Sequence, residues 1–145
     1  IKRFEVDSSN KKLESYEDII KDLNADIILV LGWYYMIPKK IRELANYGAW
    51  GIHASLLPNY RGAAPINWCL INNEIKTGVT TFFINENIDE GDILLQDEIL
   101  IDDDDNYGSL YKKLSKLRFD HMYRGQSLAI LPILRSKMTR NDLQT

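Results

Sequence analysis

The chain has 145 residues, 45% hydrophobic and 27% charged, with a formal net charge of −3 from 18 basic and 21 acidic residues. This is globular composition; it speaks against a disordered chain, a fibre or a coiled coil, and the charge balance gives no support to a nucleic-acid surface. The single cysteine, Cys69, rules out an internal disulfide framework and a cysteine-rich zinc site, and no apolar run reaches the roughly 18 residues of a membrane-spanning helix.

The sequence opens on Ile1 rather than Met and carries no signal-peptide pattern. It closes on the polar run Arg140 to Thr145, so it reads as part of a longer protein. The lone thiol points to the cytoplasm. Ser15-Tyr16-Glu17-Asp18 resembles a helix start with Ser15 as cap, and Ile19, Ile20 and Leu23 supply the apolar face through Asn24. Ile27 to Leu31 is a continuous run of apolar residues, the pattern of a strand buried on both faces. Gly32 closes it, and Pro38 opens a short helix through Leu44. Ala49 to His53 reads as a second buried strand, followed by a loop from Ala54 to Ala63 with Pro58, Asn59 and Gly62 as breakers. Pro65 sits at a helix start whose apolar side is Ile66, Cys69, Leu70 and Ile71. Thr77 to Ile84 and Ile93 to Ile101 read as strands around a polar turn, Asn85 to Asp92. After the acidic run Asp102 to Asp105, a helix extends from about Tyr107 toward Arg135, with a kink or end expected at Pro132. The alternation of helices and strands predicts an α/β domain with a mostly parallel sheet. No GxGxxG or GxxxxGK[ST] occurs.

Two loops carry candidate chemistry. His53 ends a buried strand and begins His53-Ala54-Ser55-Leu56-Leu57-Pro58-Asn59-Tyr60-Arg61-Gly62. In open α/β sheets, sites gather at the carboxyl ends of strands, although a structural histidine at a strand end fits the position equally well. Asn87-Ile88-Asp89-Glu90-Gly91-Asp92 places three carboxylates around one glycine; composition alone makes it a solvated turn, and it lacks the ligand spacing of a calcium loop. No metal site is expected. The other histidine, His121, lies in the last helix beside Arg118 and Arg124 and reads as a surface or packing residue. Ser55 lacks the GxSxG elbow of a nucleophile. Cys69 falls on an apolar helix side, as an inert buried thiol would. The four-aspartate run reads as solvated surface with some helix-capping value.

His53-Ala54-Ser55-Leu56-Leu57-Pro58-Asn59-Tyr60-Arg61-Gly62-Ala63-Ala64-Pro65, with Thr77-Gly78-Val79-Thr80 and Ile88-Asp89-Glu90-Gly91-Asp92-Ile93, resembles the folate-dependent formyltransferase family. The resemblance runs from about Asp26 to Leu117. It implies a Rossmann-like α/β fold whose opening strands precede Ile1, so that residues 1–145 form the carboxyl-terminal portion of a single catalytic domain. It implies transfer of a formyl group from N10-formyltetrahydrofolate, the co-substrate, to a primary amine. His53 matches the family's catalytic histidine, and Asp89, 36 positions on, matches the aspartate that orients and charges it. Their side chains are therefore expected to be neighbours.

Gly51 stands where the family motif Asn-x-His has its asparagine, so a side-chain donor to the developing oxyanion is absent. One such donor is typically worth about 2.7–4 kcal/mol. A non-catalytic folate-binding relative is the reading from another class that this departure suggests. The resemblance places Trp33, Tyr34, Tyr35 and Met36, with Ile88 and Glu90, along the folate pocket. It gives Ser55, Leu56, Leu57, Pro58, Arg61 and Gly62 to the substrate loop. Pro65-Ile66-Asn67-Trp68 and the Trp33-Tyr34-Tyr35 loop resemble the branch acting on amino sugars linked to nucleotides; Arg61 to Pro65 also suits the branch acting on methionyl-tRNA, which is the alternative and would need further domains for tRNA. A small-molecule amine and no membrane are the expected partners.

Overall fold

The computed structural model describes residues 13–33 and 35–123. After a 3-10 turn, Leu13–Tyr16, the elements are α1 (Glu17–Asp22), β1 (Ile28–Val30), α2 (Lys39–Arg42), β2 (Ala49–His53), α3 (Pro65–Ile71), β3 (Lys76–Phe83), β4 (Ile93–Leu100) and α4 over residues 107–123. Their order is the one expected from the sequence. Tyr34, Arg124, the expected break at Pro132 and both chain ends lie outside the described residues.

Local physics sets the differences in boundary. Ser15 lies inside the 3-10 turn, so Tyr16 takes the N-cap position of α1 and no side chain caps it. β1 is three residues long and half-buried rather than buried on both faces, because among the described residues it pairs with β2 alone. α2 stops at Arg42, short of Leu44, while Pro65 opens α3 at its first position. The sheet, in the order β1-β2-β3-β4, is mixed. β1 and β2 are parallel, but β2–β3 and β3–β4 are antiparallel, so the expectation of a mostly parallel sheet does not hold for these strands. α3 has seven residues and rises only ~10 Å, too little to return the chain along the eight-residue β3, ~27 Å long. β3 therefore starts beside the end of β2, with His53 opposite Thr80, and runs back. The loop joining β3 to β4 is likewise too short for a crossover.

Strand alternation then divides the residues of β2 between two faces. Ile52, followed by Ala54, packs on a core of Ile66, Val79, Leu110 and Leu114, which joins α3 and α4 to the sheet. Burying each such side chain stabilises the fold by about 1.5–3 kcal/mol. Gly51 and His53 consequently face the other way. Cys69 is fully buried beside Thr77, 3.4 Å from its hydroxyl, and burial pushes its thiol pKa up. His121 is a packing residue: it is buried on α4, with Nδ1 3.2 Å from Thr81 Oγ1 and Nε2 3.1 Å from Asp97 Oδ2.

The acidic run shapes the start of α4. Asn106 Oδ1 accepts from the amides of Gly108 and Ser109 at 2.9 and 3.2 Å, and Ser109 Oγ accepts from the Asn106 amide at 3.0 Å. This is a reciprocal cap worth about 1 kcal/mol. Lys113 bridges Asp102 and Asp105 at 2.5 Å each. The Lys113 ammonium first, then the Ser109 hydroxyl, holds the Asp105 carboxyl down to about 2, against an ordinary value of 3.8. The clamp should therefore act in full above pH ~4 and be lost as the pH falls toward 2. In urea unfolding across that window, the protein should lose more stability than its Lys113→Ala variant, which lacks the ammonium.

Candidate active site

The loop after β2 is built from its own side chains. Ser55, fully buried, donates its hydroxyl to the Asn59 carbonyl at 2.7 Å. Thr80 on β3 donates to the Ser55 carbonyl at 2.7 Å and accepts from the Leu57 amide at 3.2 Å. Gln96 on β4 donates to the Leu57 carbonyl at 2.9 Å. Leu57 is buried, Leu56 packs over Gly78, and the Leu57–Pro58 peptide is cis. Ser55 is thus a buried brace, with its hydroxyl proton given to the Asn59 carbonyl.

The second loop folds back over the face that carries His53. The Phe83 amide donates to the Asp92 carbonyl at 2.9 Å, and Arg42 donates to the Ile84 carbonyl at 3.2 Å. A Cβ at Gly91 would lie 1.5 Å from the Phe83 carbonyl oxygen, so only glycine permits this return. From the first loop, Arg61 donates from Nε to the Asp89 carbonyl and from Nη1 to Glu90 Oε1, both at 3.1 Å. Gly62, with φ +81°, turns its amide onto Asp89 Oδ2 at 2.8 Å. Asp89 itself adopts φ +52°, in the left-handed region. For a non-glycine residue this costs about 1–3 kcal/mol and persists only where the surroundings enforce it.

These contacts bring His53 and Asp89 together, with Nδ1 3.5 Å from Asp89 Oδ2. The separation suits an ion pair but exceeds a hydrogen bond. The pair is mostly shielded, with 12% and 20% of the two side chains exposed. His53 Nε2 lies 2.7 Å from the Tyr60 carbonyl oxygen. Sequence reasoning missed Tyr60, since a backbone carbonyl leaves no signature in residue type.

Both residues line a cleft of about 1190 Å³. That slightly exceeds the ~300–1,000 Å³ of usual small-ligand sites, leaving room for two reactants. Trp33, Tyr35, Met36 and Ile88 line it, as do Gly51 and Gly62. The Trp33 and Tyr35 rings meet edge to face at 5.6 Å, and Trp33 Nε1 is buried without a hydrogen-bond partner among the described residues. An aromatic wall with one donor to spare fits a flat, polar-edged heterocycle. Glu90, Ser55, Leu56, Leu57, Pro58 and Arg61 are not among the lining residues; Ser55 bonds within the first loop, and Arg61 joins it to Asp89 and Glu90 of the second. Among the described residues no group of three potential metal ligands occurs, and no helix is long and apolar enough to cross a membrane.

Arg61 is the side chain that couples the two loops through the backbone of Asp89. Its removal should loosen them by about 1 kcal/mol. In Arg61→Ala, hydrogen exchange at the Gly62 amide should quicken about 3- to 10-fold while α4 amides stay unchanged.

The sequence profile of the Formyl transferase family matches residues 1–124. Methionyl-tRNA formyltransferase of Flavobacterium johnsoniae is 50% identical over 109 residues, covering 75% of this chain and 34% of that protein. The protein of the same name from Thermodesulfovibrio yellowstonii is 52% identical over 96 residues, 66% of this chain and 31% of that protein. Phosphoribosylglycinamide formyltransferase from Bacillus halodurans, a crystal structure, aligns with a TM-score of 0.67 at 25% identity, over 74% of this chain and 58% of that one. The chain spans about a third of the length of these curated relatives.

Proposed function

The chain belongs to the formyl transferase family, and on that premise we propose that it carries the catalytic histidine and aspartate of an enzyme that moves a formyl group from N10-formyltetrahydrofolate to the amine of methionyl-tRNA. The observation that carries the reading is the contact of His53 with Asp89 in a cleft walled by Trp33, Tyr35 and Met36. The acceptor differs from the nucleotide-linked amino sugar expected from the sequence. Relatives about half identical to this chain are named methionyl-tRNA formyltransferase, and their names favour the tRNA amine.

The chemistry asks three things of these residues. The amine nitrogen bonds to the formyl carbon, the bond from that carbon to the folate nitrogen breaks, and one proton passes from the first nitrogen to the second. His53 takes and returns that proton. The Asp89 carboxylate favours the imidazolium that exists between those steps. The aromatic wall holds the folate ring in place, which substitutes position for entropy.

The test is a panel of amines offered with N10-formyltetrahydrofolate to the full-length protein. Formylation of methionyl-tRNA is expected, with at least ~10³-fold lower kcat in His53→Ala at unchanged thermal stability. Preference for a nucleotide-linked amino sugar would overturn the acceptor, and binding of folate without transfer to any amine would make the protein a binder.

Gly51 generates a second expectation. It lies mid-sheet, in register with Val30 on one side and Phe82 on the other. A Cβ there would lie 2.8 Å from Cζ of the buried Phe82 ring. The ring tip must move for any side chain to enter. Gly51→Asn combined with Phe82→Leu makes that room and supplies an amide donor to the oxyanion. Steady-state kinetics should show kcat rising, by up to about 10²-fold, with KM little changed, because such a donor acts mainly in the transition state. A stable double variant with unchanged or lower kcat would mean that the oxyanion is held by other groups.

A further inference from the structure

Among the described residues the His53 ring makes two polar contacts, and they differ in kind. Nε2 meets the Tyr60 carbonyl oxygen at 2.7 Å, within hydrogen-bond range. A carbonyl oxygen carries no hydrogen and can only accept, so the contact requires a proton on Nε2. Nδ1 meets Asp89 Oδ2 at 3.5 Å, outside that range, and this oxygen already accepts the Gly62 amide at 2.8 Å. Nδ1 is therefore under the field of a carboxylate without being capped by it.

Tyr60 is held in place to do this. Its backbone lies in the left-handed region, φ +58°, which aims the carbonyl back at β2. Its phenol donates to Glu74 Oε1 at 2.5 Å and accepts from Asn72 Nδ2 at 3.0 Å, both on the turn between α3 and β3. The Glu74 carboxylate, by holding the phenol proton, raises the Tyr60 pKa above its ordinary value of 10.0. The hydroxyl thus remains a donor at neutral pH.

We propose that the Tyr60 carbonyl fixes neutral His53 as the Nε2–H tautomer, leaving Nδ1 as the atom that exchanges the reaction's proton, with the Tyr60–Glu74 tether as the positioning device. The proton exchange rests on the formyl-transfer reading; the tautomer does not. Nδ1 takes the proton of the amine once its nitrogen has bonded to the formyl carbon. It gives that proton to the folate nitrogen as the old carbon–nitrogen bond breaks, and His53 ends as it began. Nε2–H stays bound to Tyr60 throughout, which keeps the ring from turning over. Tyr60 is a positioning residue that works through His53 and need touch neither reactant.

The experiment has two independent readouts. The protein is labelled with 15N at histidine, and long-range proton–nitrogen correlations are recorded with the ring neutral. The His53 signals are identified by their loss in His53→Gln. A proton on Nε2 with a bare Nδ1 is expected; the opposite tautomer overturns the proposal, whether or not any amine is formylated. Separately, Tyr60→Phe and Glu74→Ala should each lower kcat about 10-fold with KM nearly unchanged, since small losses of alignment fall on the chemical step. Both should also add a population of the other tautomer. Glu74→Gln, which keeps an acceptor for the phenol, should stay within about 2-fold of the parent. Wild-type tautomer and kcat in both Tyr60→Phe and Glu74→Ala would overturn the tether. Absence of formyl transfer in the parent would instead sink the functional reading and leave the tautomer result standing.

Discussion

The Asp89 carboxylate is the point on which the site depends. It accepts the Gly62 amide from one loop and faces the His53 imidazole at the end of β2, while its own backbone is held in the left-handed region by Arg61. Residues 36 positions apart in sequence are thereby fixed within contact distance. Neither loop could take this shape alone. The Gly62 amide of the first loop is taken up by Asp89, and the second could not return over the sheet without Gly91, since any Cβ there meets the Phe83 carbonyl. The left-handed backbone of Asp89 sets the direction of its carboxylate toward Gly62 and His53.

The sheet supplies the platform through simple alternation. On β2, Ile52 is committed to the core with Val79 and Leu114, so Gly51 and His53 must face the other way. The antiparallel return of β3 then sets Thr80 beside His53 and Phe82 beside Gly51. Thr80 becomes the hub that braces the loop, bonded to Ser55, Leu57 and Gln96. Phe82 becomes the ring that crowds the place where an asparagine would project. One register thus determines both how well the loop is supported and how hard a missing donor would be to restore.

Much of this was legible in the residues. β2 runs from Ala49 to His53 as its hydrophobic run predicts, and the His53–Asp89 pairing followed from the matched motifs. What escaped was set by tertiary contacts. Strand direction was misjudged because alternating helices and strands imply parallel crossovers, whereas α3 is too short to make one. The helix cap assigned to Ser15 lost to a 3-10 turn. Ser55, Leu57 and Arg61 read as substrate-loop residues; the structure adds that Ser55 and Arg61 bond to backbone carbonyls and that Leu57 is buried. Sequence gives residue types, and it cannot say which polar group a hydroxyl will satisfy.

That last difference exposes the logic of the His53-to-Gly62 segment. Two of its side chains bond to backbone, Ser55 to the Asn59 carbonyl and Arg61 to the Asp89 carbonyl, and Thr80 on β3 braces it through the Ser55 carbonyl and the Leu57 amide. Its backbone, in turn, serves the two ionisable side chains, with the Tyr60 carbonyl on His53 and the Gly62 amide on Asp89. Backbone groups are the better instruments for this, because a carbonyl can only accept and an amide can only donate. A side-chain hydroxyl in place of the Tyr60 carbonyl could do both, and it would leave the tautomer of His53 unspecified. Side chains with little freedom left hold the frame, and the frame specifies the protons.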